Sequence, residues 1–281
     1  MDIQGNLTVV ILAHPVKSHP SLDLILQTYN SLSKLNLPSN TKVILSHDAP
    51  KTDLSKERIS QFYNYLLELR QHFKDSENVF VTVNPKHKFL SGNIRHALSF
   101  VKTKYVLLMQ HDLAFCTDVN ITGLLEVMSS NDEIKHVRFN KRNNSNREGW
   151  DFYIKERANF IREDTFKAST GEIKLFRTLA WSDQNHLTTL EYYKKLVLPF
   201  CGNFRVYPED MLNPLTRSQL FSTFGNFVYG ALDAPATIVD LDGSKGRWDD
   251  MSATDTFLRR LKMALHYRKN KIVLFKILIT N

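Results

Sequence analysis

Carboxylates gather at three places where an apolar run gives out. Tyr105 to Met109 (YVLLM) leads straight into Gln110-His111-Asp112. A carboxylate at the tip of a buried strand suits a hard cation such as Mn²⁺ or Mg²⁺, which bridges phosphate oxygens and offsets the charge growing on a phosphate leaving group. The same residue can equally cap the turn that follows. Asp48 closes Lys42–His47 in the same way, where it accepts hydrogen bonds from a base or a ribose, or shapes an Asx turn ahead of Pro50. Glu209-Asp210 follow Pro208, which puts both acids in the first turn of a helix. The helix dipole alone favours acids there by ~0.3–1 kcal/mol. Asp210 can also serve as a general base that takes the proton from an attacking hydroxyl.

Other residues suggest other chemistry. His14, His47 and His111 all stand at strand ends, the raw material of an imidazole-bound metal hydrolase, although no HxH or HExxH spacing binds them into a motif. Ser91-Gly92-Asn93 near a helix start offers backbone N–H groups to a phosphate, on the strength of one glycine. Trp181 suits either a core or a platform for the apolar face of a sugar.

Strands and helices must alternate to hold these groups. Leu7–Ala13, Lys42–His47, Val79–Val83 and Tyr105–Met109 read as buried strands, being short apolar runs rich in β-branched residues. Between them, Leu22 to Leu32, Ile59 to Phe73 and Ile94 to Val101 keep helical spacing. This predicts βαβ units, a mostly parallel sheet, and a ligand outside the carboxyl ends of its strands. The second half is less regular: a polar stretch from Arg138 to Trp150, a short helix with Thr188 and Glu191 in capping-box spacing and Pro199 as its stop, and strand character from Phe224 to Asp242.

The net charge of +8 suggests a nucleic-acid binder until it is located along the chain. Seven bases and no acids follow Asp255, and the first 255 residues hold 30 bases against 29 acids. The near-neutral body argues against nucleic acid as a partner, and the basic tail suits peripheral contact with an anionic membrane or a final packed helix and strand. Two cysteines, Cys116 and Cys201, make no disulfide framework. With neither a basic, apolar leader nor a spanning run, the expected compartment is cytoplasmic. No Gly/Ser-rich linker divides the chain, so a single domain over 1–281 is expected.

Taken in order, Val9 to His14, Val43 to Asp48, Leu90 to Ala97 and Tyr105 to Asp112 resemble the nucleotide-binding half of GT-A fold glycosyltransferases, inverting family 2 in particular. The resemblance implies an α/β, Rossmann-like and mostly parallel sheet flanked by helices, with a smaller mixed-strand acceptor half. The nucleotide-binding half would span about 1–118, the acceptor half about 119–250, and the basic tail 251–281. It further implies that His14, Pro15, Asp48, Gly92, Asn93, Gln110 and His111 bind a UDP- or GDP-sugar, and that Asp112 and Asp242 hold Mn²⁺ or Mg²⁺. Trp181, Asp183 and His186 would shape the pocket for sugar and acceptor, a glycan or glycoprotein hydroxyl, and Glu209-Asp210 would be the element that supplies the catalytic base. The layout is also similar to glycosyltransferases encoded by large DNA viruses of algae.

Two departures stand out. The family's DXD motif is here Gln110-His111-Asp112, without its first carboxylate, and the late metal-binding histidine is replaced by Asp240 or Asp242. Arg138, Lys141, Arg142 and Arg147 are candidates to steady a diphosphate in a cation's place. Two rivals remain open: a binding module that uses the basic tail without catalysis, and the histidine-bound hydrolase.

Overall fold

Every side chain of Leu7–Ala13 (β1) is buried, the condition under which a strand reads as one apolar run. Lys42–His47 (β2) and Tyr105–Gln110 (β4) flank it in parallel register, and Val79–Val83 (β3) pairs with β2 on the outer side. Asp23–Asn30 (α1), Lys56–His72 (α2) and Phe89–Leu98 (α3) make the crossovers. Ser55 caps α2 through Oγ, which accepts from the Arg58 N–H at 3.2 Å, and the helix buries Phe62, Tyr65, Leu66 and Leu69. The computed structural model describes residues 6–38, 40–144, 162–203, 206–216 and 221–241. Arg147, Trp150, Asp242 and the basic tail lie outside them.

Beyond β4 come Leu113–Phe115 (β5), Ile121–Ser130 (α4), His136–Arg138 (β6), Glu163–Ala168 (β7), Gly171–Arg177 (β8) and His186–Thr189 (β9). Leu190–Tyr192 (α5) passes through a π-helical turn, Tyr193–Val197, into Leu198–Cys201 (α6). Pro208–Thr216 (α7), Phe221–Phe224 (α8), Asn226–Tyr229 (β10) and Ile238–Asp240 (β11) complete the series. One nine-stranded sheet has the order β3-β2-β1-β4-β9-β6-β10-β8-β7, and β5 pairs with β11 separately. β9 runs against both β4 and β6, so β6 points the same way as β1 to β4 and its last residue, Arg138, reaches the same sheet edge as Asp112. The compact unit that holds this sheet ends at Leu241. No described helix is long and apolar enough to cross a membrane.

The helix near Pro199 corrects the sequence reading in two details. Its N-cap is Thr189, whose Oγ1 accepts from the Tyr192 N–H at 3.1 Å, while Thr188 lies in β9 and donates to the Lys135 carbonyl at 2.7 Å. Pro199 does not stop the helix. The π turn ahead of it widens the ladder, which accommodates a residue with no N–H and a ring that crowds the preceding turn. The chain leaves the helix at Gly202, where φ is +55°.

Candidate active site

The tips of β2, β1 and β4 lie side by side. The Asp48 N–H donates to the Ala13 carbonyl at 2.9 Å and the His111 N–H to the Leu12 carbonyl at 3.0 Å, which holds the outer tips level with the central one. Asp48 and Asp112 are therefore about two strand spacings apart, roughly 10 Å. His14 fills the gap, its ring edge-on to His111 with 4.8 Å between centroids, and its Nδ1–H donates to the Pro15 carbonyl at 3.0 Å.

Asp48 is buried and its carboxylate is heavily engaged. Oδ1 accepts from the N–H groups of Ala49 at 3.1 Å and Lys88 at 2.8 Å, and Oδ2 accepts from the Phe89 N–H at 2.7 Å and lies 2.8 Å from His87 Nδ1. These bonds fix the entry to α3, where Phe89 takes a positive φ of +64°, a conformation that costs an L-residue about 1–2 kcal/mol. The same tight entry explains Gly92. A Cβ there would stand 2.3 Å from Lys88 Cβ, an atom the backbone itself places. Gly92→Ala is expected to push the 87–89 segment off Asp48 and destabilise the fold by about 1–3 kcal/mol, read from a urea melt.

Asn93 corrects an expectation outright. It is buried, and all four of its hydrogen-bonding positions are spent inside the protein. Nδ2 donates to the carbonyls of Ala13 and Ser46, both at 3.0 Å, and Oδ1 accepts from Ser46 Oγ at 2.8 Å and Asn84 Nδ2 at 3.2 Å. It ties strand tips together and has nothing left to offer a nucleotide.

At the tip of β4, Gln110 turns toward β9. Its Nε2 donates to the Asp183 carbonyl at 2.9 Å, and its own N–H donates to Asn185 Oδ1 at 3.0 Å. Asn185 Nδ2 closes the loop onto the Leu113 carbonyl at 2.8 Å. Asn185 escaped the sequence reading; its one signal is a polar residue directly ahead of a strand. Asp112 sits on this turn, buried, and its carbonyl accepts from the Leu241 N–H at 2.8 Å. Lys141 reaches the neighbouring strand, 3.2 Å from Asp240 Oδ2.

No group of three His, Cys, Asp or Glu side chains among the described residues gathers as a metal cluster. The donor chemistry still fits a hard cation of the Mg²⁺ or Mn²⁺ kind, since such ions need only one or two protein carboxylates when phosphates and water supply the rest. Asp112 would hold it; the other expected ligand, Asp242, is outside the described residues. The hydrolase alternative fails on geometry. His47 is buried between the Thr82 carbonyl (3.2 Å) and the Tyr65 hydroxyl (2.9 Å), and burial lowers its pKa to about 4. It cannot join His14 and His111 on a metal.

The third group of acids comes from α7. The N–H of Ser91 donates to the Val206 carbonyl at 3.3 Å, and Tyr207 packs edge-on against Phe89 at 4.7 Å, so the segment before α7 is docked on the entry to α3. Glu209 Oε2 then accepts from Ser182 Oγ at 2.9 Å and the Asp183 N–H at 3.3 Å. Burial, followed by the charges of Glu209 and Asp210, holds the Asp183 carboxyl well above the usual carboxylate range. Asp183, Glu209 and Asp210 are thus brought together, and Gln110 links them to the Asp112 turn.

Trp181 and His186 do not belong to this pocket. Trp181 is 0% exposed; its indole N–H donates to the Tyr192 hydroxyl at 3.2 Å and its ring stacks on His136. His186 is buried with both nitrogens engaged, by the Gln184 carbonyl and by the Tyr193 hydroxyl at 2.8 Å. Both are core residues, since an aromatic or imidazole placed beneath a sheet edge packs before it reaches solvent. A cavity of about 540 Å³, lined by Arg95, Leu98, Ser99, Leu198, Pro199 and Gly202 among others, opens beside the far half of α3, away from the strand tips.

Comparison with curated proteins finds no match. Among solved structures, S. aureus TarS 1-349 in complex with UDP-GlcNAc is 14% identical, with a TM-score of 0.53 over 93% of this chain and 66% of that one. The mannosyltransferase PcManGT of Pyrobaculum calidifontis, in complex with GDP-Man and Mn²⁺, is 11% identical, with a TM-score of 0.51 over 95% of this chain and 64% of that one. The chain thus spans less than two thirds of either, and neither structure lends support to a viral origin. At such identity the likeness is one of fold: an α/β sheet flanked by helices, of the GT-A type. The model of "Glycosyl transferase family 2" matches residues 8–207, most of the chain. The chain is a member of glycosyl transferase family 2.

Proposed function

We propose that this protein transfers a sugar from a nucleoside-diphosphate donor to a hydroxyl of a glycan or glycoprotein, with inversion at the anomeric carbon. The observation that carries the reading is the link Asp112 turn–Gln110–Asp183–Glu209–Asp210, which places a strand-tip carboxylate and a helix-start carboxylate on one continuous frame. The two solved relatives hold UDP-GlcNAc and GDP-Man, and a UDP- or GDP-sugar is accordingly the donor class proposed here.

Asp210 accepts the acceptor's hydroxyl proton as its oxygen bonds to the anomeric carbon. The bond from that carbon to the diphosphate oxygen breaks on the opposite face, and the electron pair leaves with the nucleoside diphosphate. His14, Pro15 and His111 edge the donor site at the strand tips, and Asp48 holds the 87–89 segment that forms its wall. A divalent cation at Asp112, when bound, would offset the diphosphate's charge. Lys141 and Arg138 supply fixed positive charge along the same edge.

A thermal-shift panel of UDP- and GDP-sugars with Mn²⁺, run on the native protein and on Asp112→Asn, tests this. The true donor at about a hundred times its Kd stabilises the native protein by ~2.7 kcal/mol, and the variant loses most of that response. Equal responses in both proteins, or none to any donor, would sink the proposal.

A further inference from the structure

Asn185 stands one residue outside the register of β9, whose pairing with β4 runs from Tyr105↔Thr189 to Leu108↔His186. Its own carbonyl is turned toward β6, where it accepts from the Phe139 N–H at 2.9 Å. On the β4 side the side chain takes over from the backbone. Oδ1 accepts from the Gln110 N–H at 3.0 Å and Nδ2 donates to the Leu113 carbonyl at 2.8 Å. These two bonds bracket the turn that carries Asp112 from β4 to β5. One end of the bracket needs an acceptor and the other a donor, so at this side-chain length only an amide satisfies both. From the opposite side Thr28, in the last turn of α1, donates through Oγ1 to the His111 carbonyl at 2.6 Å. Ser31 Oγ, just past that helix, accepts from the Phe115 N–H at 3.0 Å and holds β5 as well. The His111 N–H donates to the Leu12 carbonyl and the Asp112 carbonyl accepts from the Leu241 N–H, so β1, α1, the entry to β9 and the exit from β11 all grip one turn.

Asp112 is the one carboxylate between Gln110 and Leu113, and the Gln110 amide is spent on the Asp183 carbonyl. A lone carboxylate holds a hard cation well only if it is already in place, because any ordering on binding subtracts from affinity. We propose that Asn185, with Thr28 opposite it, is the positioning residue that presets the Asp112 turn for a cation-bound diphosphate. Both side chains are 0% exposed, so they act through Asp112 and not on the ligand. The positioning role rests on the donor-site reading above; the clamp on the turn does not.

Calorimetric titration of UDP and of GDP, with Mn²⁺ and in EDTA, is the test, on the native chain, Asn185→Ala, Asp112→Asn and the double variant. Mn²⁺ should tighten the native protein's hold on its nucleotide about tenfold or more. Asn185→Ala should lose most of that gain and keep a metal-free Kd within about threefold of native. The double variant should bind no worse than Asp112→Asn alone, since the two residues act as one unit. A brace with no part in binding would weaken both conditions alike or neither. Equal weakening, a full Mn²⁺ gain in Asn185→Ala, or additive losses in the double variant would overturn the positioning role. Should Asn185→Ala fold too poorly to titrate, Thr28→Val keeps the packing and removes only the donor to His111; it should lose part of the gain, and a full gain overturns the role. Hydrogen exchange on the ligand-free chain reads the clamp by itself. Exchange should rise at residues 110–113 in Asn185→Ala by more than it does in β2, and unchanged protection at the turn refutes the clamp. A native affinity indifferent to Mn²⁺ removes the cation and the positioning role with it. If the native chain binds neither nucleotide in either condition, the donor reading falls too, while exchange still decides the clamp.

Discussion

Asp210→Asn lowers kcat by about 10²–10⁴-fold and leaves the KM for the donor nearly unchanged, the expected signature of a lost general base. The amide has the carboxylate's shape and keeps its place in the first turn of α7, so the fold loses no packing, and only the capacity to take up the acceptor's proton disappears. On the proposed reading the donor is held elsewhere, by the tips of β1 and β4 and the 87–89 segment, which would keep KM constant. Glu209→Gln is expected to give a different pattern, because Glu209 Oε2 already accepts from Ser182 Oγ and the Asp183 N–H, and on the proposed reading Asp210 rather than Glu209 receives the proton. Steady-state kinetics of the two variants side by side separate the roles. An Asp210→Asn protein within a few fold of native kcat would move the base elsewhere, with Glu209 or Asp183 next to be examined.

The parts of the fold that are legible in the sequence are those whose burial is two-sided. β1, β2 and β4 are covered on both faces, and each therefore appears as an unbroken apolar run with a polar end. β3 sits at the sheet's edge but keeps enough β-branched character, VFVTV, to be read. The other side of the sheet hides for identifiable reasons. β6 is three residues long, too short for any period to register, and β9 is His-Leu-Thr-Thr, whose three polar residues find their partners within the sheet and its neighbours. β7, Glu-Asp-Thr-Phe-Lys-Ala, alternates between half-buried and exposed at the opposite edge and carries one large apolar residue.

The candidate site divides along a similar line. That its groups lie at the ends of β1, β2 and β4 follows from chain order alone, whereas what each side chain does depends on partners far away in sequence. Asp48 acts on Lys88 and Phe89, forty residues on, and Asn93 reaches back eighty to Ala13. Trp181 and His186 look like pocket residues beside Asp183 and Gln184, but only the placement of Tyr192, Tyr193 and His136 reveals that they pack inward. The surroundings of Asp183 are least legible of all, since Glu209 meets its N–H only because α7 returns to that segment from twenty-six residues on.

Asn93→Ala should be the most destabilising single substitution at the strand tips, by about 3–5 kcal/mol, with a fall in Tm on the order of 10 °C. Asn93 is 2% exposed, and its removal takes one donor each from the carbonyls of Ala13, which keeps the Asp48 N–H, and Ser46, and takes the acceptor from Ser46 Oγ and Asn84 Nδ2. A buried group left unsatisfied costs about 1–3 kcal/mol, and the total stays below the sum because neighbours relax. Asp at this position is no remedy. It keeps one acceptor oxygen but turns a second toward two carbonyls, so Asn93→Asp should melt at least as early as the alanine variant. Were Asn93 instead a nucleotide ligand, alanine would weaken donor binding in a protein of native stability. Urea melts and the donor KM of the two variants therefore separate a brace from a ligand. The brace predicts lost stability in both variants, with a rise in KM that follows from β1 and β2 no longer presenting their tips in one plane.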